Sequence, residues 1–134
     1  MKVIVDTSVW SLALRRDKEG PPVPVQELRQ LIHSHRVQMI GPIRQEILSG
    51  IRNESQFIKL RKHLESFPDL PILTEDYITA AQFFNHCRSK GVQGSNTDFL
   101  ICAVAVRNKL SIYATDKDFD LFAKNIQIIL HKGD

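Results

Sequence analysis

Along the chain, short apolar runs alternate with longer stretches whose apolar residues recur at helical spacing. Residues 2–5 are a brief β-branched run closed by Asp6, which predicts a strand. Thr7 and Ser8 lead into Val9, Trp10, Leu12, Ala13 and Leu14, a short helix that ends before the breaker Gly20-Pro21-Pro22-Val23-Pro24. Val25, Leu28, Leu31 and Ile32 share one face of a helix over 25–35, and 37–40 reads as a second strand. Gly41-Pro42 turns the chain into a helix carrying Ile43, Ile47, Leu48 and Ile51, with Pro42 suited to its first position and Gly50 weakening its end. A helix over 56–67 faces Phe57, Leu60 and Leu64 inward. Thr74-Glu75-Asp76 offers a capping hydroxyl and first-turn acids to the next helix, which keeps its period through Cys87 and stops at Gly91. After a loop over 91–96, residues 99–106 are apolar nearly all round and predict a central, buried helix. A strand over 110–114, a helix over 118–123 and a strand over 126–130 complete the chain.

Strands alternating with helices imply one α/β domain over residues 1–134, with a parallel sheet covered on both faces. Ligands of such sheets bind beyond the carboxyl ends of the strands, where the strand order reverses. Asp6 ends the first strand and Thr115-Asp116 ends the third, so both are expected on one edge of the sheet.

Composition narrows the class. With 43% hydrophobic and 25% charged residues the chain is ordinary globular material, neither disordered nor fibrous. No apolar run approaches the roughly 20 residues of a membrane span. The N-terminus meets Asp6 after three apolar residues, too soon for a secretory signal, so the cytoplasm is the expected location. Cys87 and Cys102 sit in helical patterns without C-x-x-C or zinc spacing and read as buried free thiols. The five histidines show no i, i+4 ligand pair and read as mostly solvated. The net charge of +3 includes the basic groups Lys59, Arg61, Lys62 and Arg15, Arg16, Lys18. These are ordinary solvated faces that would also suit phosphate contacts.

Four acids carry the candidate chemistry. Each has a local explanation: Asp6 as the cap of the first helix, Asp98 in a capping box with Ser95, Glu46 on a solvated face, and Asp116 beside a second box of Thr115 with Asp118. Their neighbours argue for more. Asp98 enters the most apolar helix, Glu46 borders the buried positions Ile43 and Ile47, and Asp6 and Asp116 both stand at strand ends. Two carboxylates about 4 Å apart repel by roughly 4 kcal/mol at an effective dielectric near 20. A proton or a cation must then relieve them, and carboxylate oxygens favour Mg²⁺ or Mn²⁺ over zinc. Such an ion suits phosphodiester hydrolysis, whereas acyl transfer would want a paired Ser-His or Cys-His. A phosphoaspartate enzyme would want a second acid two residues after Asp6, where Ser8 stands.

The segments Val5-Asp6-Thr7-Ser8-Val9-Trp10, Gln45-Glu46-Ile47-Leu48-Ser49-Gly50, Thr97-Asp98-Phe99-Leu100-Ile101-Cys102-Ala103 and Ala114-Thr115-Asp116-Lys117-Asp118-Phe119 together resemble the PIN-domain nucleases, above all the VapC toxins of toxin–antitoxin pairs. The resemblance runs through the whole chain, and its strength lies in four motifs in the right order and spacing. It implies a three-layer α/β/α sandwich with a central parallel sheet of four to five strands, and an endoribonuclease dependent on Mg²⁺ or Mn²⁺. It implies Asp6, Glu46, Asp98 and Asp116 as catalytic acids, with Asp6, Asp98 and Asp116 at the metal. Thr7, Ser8 and Thr115 would support the metal or its water, and Asp118 would be a further acid found in some members. It also implies an RNA substrate, a homodimer, and an antitoxin whose tail enters the acidic groove. Gly94-Ser95-Asn96-Thr97 and Cys102 depart from the usual pattern without removing an acid.

Overall fold

The computed structural model describes residues 1–15 and 20–133. Arg16 and Lys18 of the second basic group lie outside them. The described residues form four strands and seven helices in the order β1 (Val3–Val5), α1 (Thr7–Ala13), α2 (Val23–His33), β2 (Val37–Gln38), α3 (Gly41–Leu48), α4 (Glu54–Leu64), α5 (Thr74–Ser89), α6 (Asn96–Asn108), β3 (Ser111–Tyr113), α7 (Asp118–Ala123) and β4 (Ile129–Leu130). All strand pairs are parallel, in the order β2-β1-β3-β4. This is the expected three-layer α/β/α architecture, with the sheet at the lower expected strand number.

The topology creates the site. From β1 the chain moves to β2 on one flank, then returns across to β3 and β4 on the other. The order therefore reverses between β1 and β3, opening a crevice at their carboxyl ends. Val5 pairs in register with Tyr113, and the Asp6 N–H donates to the Tyr113 carbonyl at 2.8 Å. The edge that carries Asp6 is thus the edge that carries Thr115-Asp116, as the strand reading required.

The core explains the rigidity of that edge. Val3, Ile4 and Val5 are buried, as are Ile112 and every residue of the α6 run from Phe99 to Ala105. Burying a side chain of the Val, Leu, Ile or Phe class contributes about 1.5–3 kcal/mol, so a helix buried along most of its length is a fixed platform for the residue at its start. Trp10 donates its Nε1–H to the Val5 carbonyl at 3.1 Å and packs edge-on against Phe67 at 5.5 Å between ring centroids. Cys87 and Cys102 are buried free thiols, as expected.

Several element ends differ from the sequence expectation, each for a local reason. α4 begins two residues early because Asn53 accepts the Gln56 N–H at 3.0 Å, an N-cap outside the apolar period. α5 is preceded by Leu73, so Thr74 is its first residue and not its cap; Asp76 accepts the Leu73 N–H instead, at 2.8 Å. No Thr115–Asp118 capping box forms at α7, whose N-cap is Lys117, without a side-chain bond. β4 shrinks to Ile129–Leu130 because Ile126 stays bonded to the last turn of α7 and anchors the core. His131 is not solvated: its Nε2 lies 2.9 Å from Glu27 Oε1 and its ring packs against Tyr113. No helix among the described residues is long and apolar enough to cross a membrane.

Candidate active site

Four separate elements deliver the acids. Asp6 follows β1, is only 7% exposed, and caps α1 by accepting the Ser8 N–H on Oδ2 at 3.1 Å. Asp98 is the third residue of α6; its Oδ2 accepts the Ser95 N–H at 3.1 Å while Ser95 Oγ accepts the Asp98 N–H at 3.0 Å. Asp116 follows β3, and its Oδ1 accepts the Asp118 N–H at 2.9 Å. Glu46 lies in α3 between the buried Ile43 and Ile47. The capping and converging roles are therefore compatible. Each aspartate spends one oxygen on a neighbouring backbone amide, which restricts its rotamer, and the other accepts no hydrogen bond among the described residues.

Electrostatics tie the acids into one group. Burial pushes the Asp98 carboxyl above its ordinary value, and repulsion from Asp6 and Asp116 adds to it against the opposing Ser95 bonds. Glu46 is also pushed up, by desolvation first, with Asp6 and Asp98 adding to it and Thr7 opposing. Glu46 lies at the exposed rim of the crevice face, within reach of the Asp6 and Asp98 charges. Beneath them, the Cys102 thiol is pushed strongly upward by burial and by the charges of Asp98 and Asp6. It is an inert neutral floor to the site.

The supporting residues divide. Ser8 Oγ accepts the Thr115 N–H at 3.1 Å and so stitches the β1–α1 turn to the β3–α7 turn across the crevice. Thr7 Oγ1 is buried and, among the described residues, has no hydrogen-bond partner. It stands beside the Glu46 carboxyl, close enough to favour its charged form without completing a bond. A buried hydroxyl left unbonded is unfavourable by roughly 1–3 kcal/mol, and the group nearest to relieve this one is the Glu46 carboxyl. Asp118 contributes its backbone amide; its carboxylate is not among the charges felt by Asp98 or Glu46.

The donor set fits one kind of ion. Among the described residues no three His, Cys, Asp or Glu side chains already converge on one ligand point. Mg²⁺ keeps several waters and takes only one or two carboxylates directly. Carboxylates that repel one another across a crevice, beside an unsatisfied hydroxyl, match that requirement. An ion that favours thiolate or imidazole ligands finds, among the described residues of the site, only the buried neutral thiol of Cys102.

A match to the PIN domain family extends over residues 3–125, nearly all of the chain. The chain belongs to the PIN-domain family. Its relatives include VapC ribonuclease Mb1587 of Mycobacterium bovis and Ribonuclease VapC11 of Mycobacterium tuberculosis, each 30% identical over 126 residues, covering 91% of this chain and 92% of the relative. Similar solved structures include VapBC2 from Rickettsia felis bound to a DNA fragment from its promoter (TM-score 0.77, 17% identity, all of both chains). FitAcB from Neisseria gonorrhoeae is also similar (TM-score 0.73, 19% identity, 97% of this chain and 96% of that one). At those identities the structures speak for the PIN fold alone.

The sequence reading missed three features around this PIN-domain site: the isolation of the Thr7 hydroxyl, Cys102 as the floor, and Gly94. A β-carbon at Gly94 would stand 2.5 Å from a ring carbon of Phe122 and 2.9 Å from one of Phe99. At Gly94 the loop over 91–96 is therefore packed onto α6 and α7. The Gly94 departure from the usual motif was the available signal.

Proposed function

We propose that this PIN-domain chain is a metal-dependent endoribonuclease, the toxin of a toxin–antitoxin pair, acting in the cytoplasm as one domain over residues 1–134. The observation that carries this reading is the mutual repulsion of acids delivered by four elements near the switch point of the sheet, Asp98 with Asp6 and Asp116 and Glu46 with Asp6 and Asp98, with the Thr7 hydroxyl beside Glu46. The printed names of its relatives, VapC ribonucleases, support RNA as the substrate.

Asp6, Asp98 and Asp116 would hold Mg²⁺ or Mn²⁺, directly or through water. Such an ion supplies charge for a phosphate oxygen, a more acidic water and relief for the leaving oxygen. Glu46, with its raised proton affinity, would orient the attacking water or hold a second ion. Thr7 would donate to or accept from that water. Ser8 and Thr115 keep the two turns in register, which would hold Asp6 and Asp116 in fixed relation at the sheet edge. The Lys and Arg side chains of the surface would position the RNA backbone. Asp118 acts by fixing Asp116.

A homodimer and a cognate antitoxin complete the reading, the latter supported by the VapBC assemblies among its structural neighbours. The apolar groove lined by Trp10, Leu28, Leu60 and Phe67 is open to that partner, whose tail would reach the acids.

End-group analysis of cleaved RNA tests the mechanism. A 5′-phosphate and a 3′-hydroxyl are expected from attack by water. A 2′,3′-cyclic phosphate would contradict it, because the RNA's own 2′-hydroxyl would then be the nucleophile.

A further inference from the structure

Between the C-terminal end of α5, the loop after it and the start of α6 lies a small cavity that the hydrolytic reading leaves unused. It holds about 180 Å³ and is lined by Phe84, Arg88, Val92, Gln93, Gly94 and Phe99. That is below the ~300–1,000 Å³ of pockets that enclose a whole small-molecule ligand, and suits one planar ring system. Its position follows from the chain. Phe99 directly follows Asp98, and Gly94 directly precedes Ser95, whose N–H is bonded to the Asp98 carboxylate. Along the chain, its lining residues Gly94 and Phe99 therefore flank the Ser95–Asp98 segment that starts α6.

Its wall is fixed and its rim is free. Phe84 packs edge-on against Phe99 with centroids 5.6 Å apart, and Phe99 lies 4.7 Å from Phe122 of α7. Gly94 closes onto these rings so tightly that any side chain there would displace them. At the rim, Arg88 and Gln93 are exposed. Among the described residues the Arg88 side chain makes no ion pair, and neither its guanidinium nor the Gln93 carboxamide is engaged in a hydrogen bond within the protein. Proteins that read unpaired RNA place each base on an aromatic or guanidinium plane and hydrogen-bond its edge. A ring wall, a planar cation and a carboxamide with both donor and acceptor are that set of parts.

We infer that this pocket receives an unpaired nucleobase of the RNA next to the scissile phosphate and sets the nucleotide preference of cleavage. Arg88 stacks on or bonds the base, and Gln93 reads its edge. The inference rests on the ribonuclease reading for its biological meaning, but its test does not need cleavage. Binding of four labelled oligoribonucleotides, six nucleotides of A, C, G or U, is measured by fluorescence anisotropy in EDTA. The wild-type chain is compared with Arg88→Ala and Gln93→Ala, each checked for native circular dichroism. One base is expected to be favoured by about 5- to 100-fold, the range of base stacking and edge recognition, and each substitution is expected to reduce that preference.

Equal binding of all four by the wild type overturns the inference. So does a preference that survives both substitutions, or a loss of affinity on Arg88→Ala that is the same for every base, which would make Arg88 a phosphate contact. A base preference that depends on Arg88 and Gln93 in a chain that cleaves no RNA with Mg²⁺ or Mn²⁺ would overturn the ribonuclease reading and leave the pocket standing. Cleavage with unchanged base preference in both variants would do the reverse.

Discussion

At α5 and at α6 the chain starts a helix with the same device. The third residue of each is an aspartate that reaches back to the amide before the helix: Asp76 to Leu73 at 2.8 Å, Asp98 to Ser95 at 3.1 Å. Beyond that bond the two acids part company. Asp76 is buried and receives both Nε and Nη2 of Arg107, at 2.7 and 2.9 Å, so the guanidinium holds its carboxyl below the usual range. Asp98 has no ion pair among the described residues. It faces Asp6 and Asp116, and burial with their repulsion holds its carboxyl above the usual range. The local motif supplies a backbone bond in both cases. What the acid is for depends on which remote element arrives: the last turn of α6 brings a cation to one, and the ends of β1 and β3 bring anions to the other.

The largest effect should fall on the paired acid. Asp76→Asn weakens two charge-assisted bonds and leaves Arg107 without its counter-charge, so Tm should drop by roughly 5–10 °C. Asp98→Asn, made without metal, should keep or raise Tm because it removes a repelled charge. Equal losses in both would erase the contrast.

Metal should act on one site only. An ion at 100 times its Kd should stabilise the wild type by about 2.7 kcal/mol. Thermal melts in Mg²⁺ and in EDTA should show the increment in Asp76→Asn and lose most of it in Asp98→Asn.

The pH dependence should have opposite signs. Asp98 and Glu46 are raised in the folded state, so the folded chain binds more protons there than the unfolded one. Without metal, their contribution is greatest below the unfolded carboxyl range and is lost as pH rises through the folded values. Asp76 is lowered, so its contribution is present above the unfolded value and is lost as pH falls through the folded one. As pH falls from neutral toward the ordinary carboxyl range the metal-free Tm should rise, then fall in stronger acid as the Asp76 contribution is lost. The rise should shrink in Asp98→Asn.

The smallest structural effect belongs to Thr7→Val, which keeps the shape and removes an unbonded hydroxyl. Stability should hold or improve by up to about 1 kcal/mol, while cleavage falls by roughly 10-fold or more, as for other groups that support a metal site. A stability loss instead would mean that the hydroxyl is bonded in solution.

Much of this was legible in the chain because it is local. The β-branched run before Asp6, the Ser95–Asp98 box and the apolar run of α6 are each set by residues within a few positions, and the parallel alternation of elements is enough to bring Asp6 and Asp116 to one edge. The early start of α4 was missed because Asn53 acts by a side-chain cap that no apolar period reveals. The Asp76–Arg107 pair spans 31 residues and was invisible, although Thr74-Glu75-Asp76 was read as a helix start. The isolation of Thr7, the floor at Cys102 and the packing of Gly94 against Phe122 also depend on partners brought from elsewhere in the chain.

The most direct measurement is cleavage of a mixed RNA pool by the wild type and by Asp98→Asn, each with Mg²⁺, Mn²⁺ or EDTA, on protein whose melting confirms a native fold. The account predicts cleavage by the wild type that needs metal and falls by at least about 100-fold in Asp98→Asn. Cleavage by Asp98→Asn at the wild-type rate, or cleavage that continues in EDTA, would contradict it and move the reactive centre away from the carboxylates.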